Sequence, residues 1–246
     1  MRGFVDLHCH WIAGIDDGAR SPDASLAMLR GLKRAGFDTV VATPHMRPGM
    51  FENDRAALQH AFEGMHVHLE GEADLPAVYL ASEHFFDDVV FARLVKGECL
   101  PYPDLAPAGS ATRKRGVLVE LPVQSFPPKI ASRFFDLGRA GLRPVLAHPE
   151  RYQPVWKDDR CLDPLMDAGA CLLLDVCALV GKYGRAAQKA AEKLLDDQAY
   201  EAACSDAHRP EDADVTADAI TVLEKVVGVK EAERLLGAGP RGILGL

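Results

Sequence analysis

Residues 4–19 read FVDLHCHWIAGIDDGA, an apolar run that passes without a break into two histidines and then two aspartates. The run FVDL fits a buried strand, and the groups behind it stand at that strand's carboxyl end. In parallel α/β architectures chemistry gathers at those ends. Side chains alternate faces along extended chain, so His8 and His10 point one way and Cys9 the other. The first strand therefore predicts an α/β protein that builds a polar site at its strand ends.

The pattern recurs. Apolar runs at 4–7, 39–43, 77–82, 116–121, 143–147, 170–176 and 201–205 alternate with segments of helical period at 22–35, 54–66, 86–96, 128–140, 160–168, 185–197, 211–226 and 230–236. Ser21 as N-cap, Pro22 at the first helical position and Gly36 beyond the end delimit the first helix. Such alternation predicts a parallel sheet with crossover helices, closed into a barrel or barrel-like. An open doubly wound sheet is the alternative, but the glycine-rich dinucleotide fingerprint is missing. A length of 246 residues suits one domain spanning 1–246.

A net charge of −8 argues against a nucleic-acid partner bound through a broad basic face. The six cysteines form no CxxC pair, as expected of reduced thiols in a cytoplasmic protein. No signal-peptide core or membrane-spanning apolar run is present, so no membrane insertion is expected. The Pro/Gly/Ser-rich stretch 101–115 reads as a mobile surface loop. Its basic end TRKR, 112–115, is either a solvated turn or a patch that steers an acidic phosphopeptide.

Six of the seven runs deliver an imidazole or carboxylate at the same end: His8 and His10; His45; Glu83; Glu120; His148 with Glu150 and Arg151; Asp206 and His208. Five of the nine histidines fall there, a concentration that signals metal binding. Asp206 and His208 are expected to repeat the i, i+2 arrangement of His8 and His10. Mixed nitrogen and oxygen donors suit zinc, manganese or iron, and this many donors suit two or three ions. Such ions hydrolyse phosphate esters by acidifying a water and clamping phosphoryl oxygens. Arg151 is placed to bind phosphate through two N–H groups. No cysteine is followed six positions later by arginine, so the nucleophile is expected to be activated water, not a thiolate.

Taken together, DLHCH, GIDDGA, VATPHMRPGMFEN, SEHFF, VELP, LAHPERY and CSDAH closely resemble the bacterial PHP (polymerase and histidinol phosphatase) family. Within it the likeness is to the manganese-dependent protein-tyrosine phosphatases of capsule and exopolysaccharide loci. The resemblance implies a distorted (β/α)7 barrel of TIM type and hydrolysis of phosphotyrosine on a cognate bacterial tyrosine kinase. It also implies two to three divalent ions, manganese first, held by His8, His10, Asp17, His45, Glu83, Glu120, His148, Asp206 and His208. Arg151 matches the family's phosphate-binding arginine. Two positions depart from the pattern: Cys9 stands where serine is usual, and Ala213 stands where many members carry a second arginine.

Asp206 and His208 are further expected to assist the departing phenolate. Arg47 and Phe51, together with Arg209, are expected to contact substrate; with Met50 the first two would form a wall for an aromatic ring. Asp16 is expected to cap the turn before Gly18 while Asp17 binds metal. His84 should face away and pack, and His60, His66 and His68 should be solvated. A small-molecule phosphomonoesterase such as a histidinol-phosphate phosphatase, or a non-catalytic metal-binding regulatory module, are the alternatives, and a homo-oligomer is left open.

Overall fold

The computed structural model describes residues 2–111 and 113–246. Among the described residues nine strands, all paired in parallel, form two sheets. One has the order β1 (Phe4–Cys9), β2 (Phe37–Ala42), β4 (Ala77–Leu80). The other runs β3 (His45–Met46), β5 (Glu83–Phe85), β6 (Arg115–Glu120), β7 (Leu142–Ala147), β8 (Cys171–Asp175), β9 (Tyr200–Cys204). The expected runs at 39–43 and 77–82 end at Ala42 and Leu80, and short strands β3 and β5 follow just beyond them. Pro44 has no N–H for the ladder, and Ser82 turns aside, donating its hydroxyl to Pro44 O at 2.8 Å. Past the break both chains re-enter pairing with His45 beside Glu83.

The first and last strands meet at their carboxyl ends. Asp206 N donates to His8 O and His10 N to Ala207 O, both at 2.9 Å. Beneath them the buried Asp6 carboxylate accepts from Ser205 N at 3.0 Å and from Ser205 Oγ at 2.5 Å.

Helices α1 (Pro22–Ala35), α2 (Arg55–Leu69), α3 (Asp88–Lys96) and α4 (Ile130–Arg139) follow the sequence pattern closely. Ser21, Asp54 and Asp87 cap the first three by accepting from the N–H three residues on. The helix expected at 160–168 is instead a 3₁₀ turn, Asp159–Leu162, followed by α6 (Asp163–Asp167), with Pro164 near its start. A short α5 (Gln153–Lys157) precedes it, and α7 (Arg185–Asp196) and α8 (Asp212–Val227) lie as expected. The last predicted helix ends early as α9 (Val229–Glu233), passing through a π turn, Arg234–Ala238, into α10 (Gly239–Leu244).

Two apolar layers result. Val5, Leu7, Val41, Leu118, Val145, Leu173 and Ala202 fill the space inside the strands, with Ile243 and Leu244 of α10 packed among them. Phe4, Val40, Val117, Leu146, Leu172 and Ala203 face outward into the helices. Tyr102 joins the inner layer, buried, with its hydroxyl donating to Leu7 O at 2.9 Å. The stretch 101–115 is therefore not simply a surface loop. Arg113 is held by Asp104 and the carbonyls of Gly242 and Ile243, and Arg115 by Tyr102 O, at the amino end of β6. This end lies opposite Glu120, away from the strand-end site; Thr112 lies outside the described residues. No helix among the described residues is long and apolar enough to cross a membrane.

Candidate metal centre

Strict alternation from Val5 and Leu7 would turn Cys9 inward and His8 outward. The β1–β2 register is irregular between Asp6 and Cys9, and such bulges re-aim side chains beside active sites. Consequently Cys9 packs outward, its sulfur 3.6 Å from Met28 Sδ, while His8 and His10 meet with Nε2 atoms 3.1 Å apart. The chain then doubles back. Ala19 N donates to His10 O at 3.0 Å, and Gly18 passes so close that an added Cβ would lie 2.0 Å from that carbonyl, so only glycine fits.

All nine predicted donors converge. His8 Nε2 lies 3.3 Å from Glu83 and 3.1 Å from Asp206. His45 Nδ1 lies 2.9 Å from Glu83, and His148 Nε2 is 3.1 Å from the same carboxylate. His45 and His208 approach Asp17 at 3.4 and 3.6 Å. Four overlapping groups have donor atoms within 4.8 Å of one another: His10, Asp17, His45, His208; His8, His148, Asp206; His8, His10, Glu83; and His45, Glu83, Glu120. Asp206 and His208 fall in different groups, not on one extended face. Asp206 takes a left-handed φ of 44°, and His148 one of 35°. Such conformations cost about 1–3 kcal/mol each and persist where surrounding structure holds them; here His8 O and Leu173 O bind the two N–H groups.

Asp16 has a separate place. Its carboxylate lies 2.8 Å from His10 Nδ1 and accepts from Gly18 N and His45 N, both at 3.0 Å. It caps the turn as expected and also orients a donor imidazole from behind, a role the sequence reading missed. His84 faces away, 2.8 Å from Leu118 O, with burial lowering its pKa to about 4. His60, His66 and His68 are exposed on α2.

The charge balance suits cations. Burial opposes ionisation of Glu83 and Asp206, yet neighbouring imidazoles, joined for Asp206 by Arg151, hold both carboxyls well below the usual range. Burial and the Glu83 charge raise Glu120 to about 7. His45 rises to about 10 against its burial, because Glu83 and Asp17 favour its charged form. His8 Nδ1, His148 Nδ1 and Glu120 Oε2 are buried without hydrogen-bond partners. Such orphaned groups cost about 1–3 kcal/mol each, and a set of ionised carboxylates and unpartnered imidazoles fits divalent metal ions.

Around this centre stand the predicted substrate residues. Arg151 pairs with Asp206 and lies 3.9 Å from Asp175. Arg47 stacks on Phe85 at 4.0 Å, 3.9 Å from Glu120, and Phe51 stacks on His45 at 5.2 Å; Met50 is exposed nearby. Arg209 is exposed on a cavity of about 360 Å³ that it shares with Arg20, His208 and Glu211. Ala213 is core: a Cβ at Gly31 would lie 2.5 Å from its own, so α1 and α8 touch where a second arginine would stand.

Fold and site together define a parallel α/β barrel-type protein with a cluster of imidazole and carboxylate donors at the strand ends. The chain belongs to the capsular polysaccharide synthesis family CpsB/CapC, whose family model matches residues 4–245. It is 30% identical over 226 residues to tyrosine-protein phosphatase YwqE of Bacillus subtilis, covering 91% of this chain and 85% of the relative. A crystal structure from work on YwqE and on CpsB of Streptococcus pneumoniae, described there as unique metal-dependent tyrosine phosphatases, superposes with a TM-score of 0.84 at 28% identity. It covers 98% of this chain and 94% of that one. The lactonase Lmo2620 of Listeria monocytogenes shares the fold alone, at a TM-score of 0.53 and 11% identity over 97% of this chain and 93% of its own.

Proposed function

We propose that this chain, acting as one domain, is a metal-dependent phosphatase that hydrolyses phosphotyrosine on a bacterial tyrosine kinase controlling capsule or exopolysaccharide synthesis. The observation that carries the reading is the convergence of His8, His10, Asp17, His45, Glu83, Glu120, His148, Asp206 and His208 beside Arg151. These nine residues would hold two or three divalent ions, manganese ahead of iron, zinc or magnesium. Ions bound there supply Lewis acidity to phosphoryl oxygens and lower the pKa of a water at neutral pH.

The protein's own groups do the rest. Arg151 offers its guanidinium fork to the phosphoryl oxygens. Phe51 and the Arg47–Phe85 stack border the centre on the His45 and Glu120 side, where they would receive the tyrosyl ring. Arg209 lines the neighbouring cavity, open to the flanking peptide. Asp206 and His208 both belong to donor groups, so they would assist the departing phenolate through a water they hold rather than by giving up a proton themselves. A phenolate leaves readily, so a strong acid is not required. Six free thiols, five of them buried, suit a reducing cytoplasm.

The test is a substrate panel: manganese-loaded protein with a phosphotyrosine peptide, histidinol phosphate and a phosphoserine peptide, with Arg151→Ala and His8→Ala as controls. Fastest release from phosphotyrosine, lost in both variants, supports the reading. Faster release from histidinol phosphate makes the protein a small-molecule phosphatase, and metal binding without turnover of any substrate makes it a regulatory module.

A further inference from the structure

β8 ends on Asp175, a strand-end acid that belongs to no donor group of the metal centre. It is fully buried. Its Oδ1 accepts from Cys177 N at 2.9 Å and so caps the 3₁₀ turn Val176–Val180. Its Oδ2 has no hydrogen-bond partner and lies 3.9 Å from Arg151 Nη2. The backbone beneath is locked, because Asp175 N donates to Glu150 Oε1 at 3.1 Å and Tyr200 hydroxyl to Glu150 Oε2 at 3.0 Å. Glu150 immediately precedes Arg151, so one carboxylate ties the strand end to the arginine's own turn.

Beyond that turn Tyr183 places its ring 4.3 Å from Arg151 Cζ. Aromatic faces hold guanidinium planes by cation–π attraction. Asp206, the arginine's closest partner, is also within reach of His8 and His10 and belongs to a donor group. Its charge is shared with metal-site imidazoles, whereas Asp175 and Tyr183 belong to no donor group, although Lys182 also approaches the Tyr183 ring, at 5.5 Å. The Arg151 side chain is 19% exposed, so part of it is open to a ligand, while its Nε is buried without a partner.

We propose that Asp175 and Tyr183 are positioning residues that fix the plane and reach of the Arg151 guanidinium so that it receives a phosphoryl group. This rests on Arg151 being the phosphate-binding arginine. Asp175→Asn is the informative variant, since an amide retains the Oδ1 cap while replacing the Oδ2 charge facing Arg151. Tyr183→Leu removes the aromatic face and Tyr183→Phe retains it.

The experiment measures binding of inorganic phosphate by calorimetry, and kcat and KM on a phosphotyrosine peptide, for manganese-loaded protein of verified metal content. Asp175→Asn and Tyr183→Leu should each weaken phosphate binding about tenfold, with kcat/KM falling in parallel, and Tyr183→Phe should change either by less than threefold. In an Arg151→Ala background the same substitutions should change phosphate binding by less than twofold, because coupled residues lose their effect together. Equal losses with and without Arg151, or no loss in either, overturn the proposal. If Asp175→Asn does not fold, the Tyr183→Leu cycle decides by the same criterion. An Arg151→Ala protein that binds phosphate as well as the parent overturns the arginine's role and the positioning with it. Failure to hydrolyse phosphotyrosine while phosphate binding keeps this coupling counts against the proposed substrate alone.

Discussion

Asp16 and Asp17 are neighbours in sequence, yet they meet different partners. Asp17 reaches His45 and His208, while Asp16 holds His10 and the backbone of His45. The motif GIDDGA made both visible, but two adjacent carboxylates read alike until the turn at Gly18 sends them apart. Outer partners of a metal ligand typically govern 10–100-fold in metal affinity. Asp16→Ala should therefore weaken manganese binding by about that factor with the secondary structure unchanged, as read by metal titration and circular dichroism; unaltered affinity would mean that His10 needs no orientation. Arg151→Ala removes charged donors at the phosphoryl site and should lower kcat/KM about 10²–10³-fold in steady-state assays.

At the scale of elements, the strands were legible because their apolar runs end so abruptly in polar residues. The break in their ladder was not. Thr43 and Ala81-Ser82 read as the tails of two strands, and only pairing in space shows that the ladder breaks there and resumes at His45 and Glu83. The bulge in β1 was equally hidden, since alternation counted from His8 and alternation counted from Val5 contradict each other by one residue. Ala213 illustrates a third limit: an offset along the chain suggested a missing functional arginine, whereas α8 has already begun and packs that residue against Gly31. Ala213→Arg should consequently lower the thermal midpoint without raising kcat/KM; a gain in activity would place this position at the site. Asp6 offers the complementary case, a buried carboxylate joining β1 to the end of β9. Asp6→Ala strands the Ser205 hydroxyl and N–H and should cost about 1–3 kcal/mol in denaturant unfolding.

For the whole molecule, nine donors drawn from positions 8 to 208 are brought together only when the first and last strands meet. That convergence could be inferred from the recurring strand-end pattern, but the division into overlapping donor groups and the alliance of Arg151 with Asp175 could not. Asp175 closes the one apolar run that carried no recognised motif, and the left-handed turns at His148 and Asp206 separate residues that spacing alone had paired. Because the cluster collects ionised carboxylates and unpartnered imidazoles in the folded state only, metal binding and stability should be linked. Ions at about a hundredfold above their Kd stabilise by about 2.7 kcal/mol, and for a chain of this size that raises Tm by roughly 5–10 °C.

The thiols sit apart from this chemistry: Cys9 packs against Met28, and burial raises Cys171 to about 12. Alkylation under native conditions should therefore modify chiefly the part-exposed Cys161 and leave turnover intact.

The most direct test of the central claim is a manganese titration of chelator-stripped protein, followed by phosphotyrosine-peptide turnover and run beside His8→Ala. The account predicts no turnover in the stripped protein, saturable recovery as manganese is added, and little recovery in the variant at the same concentrations. Turnover that persists without metal, or recovery in His8→Ala equal to that of the parent chain, would contradict it.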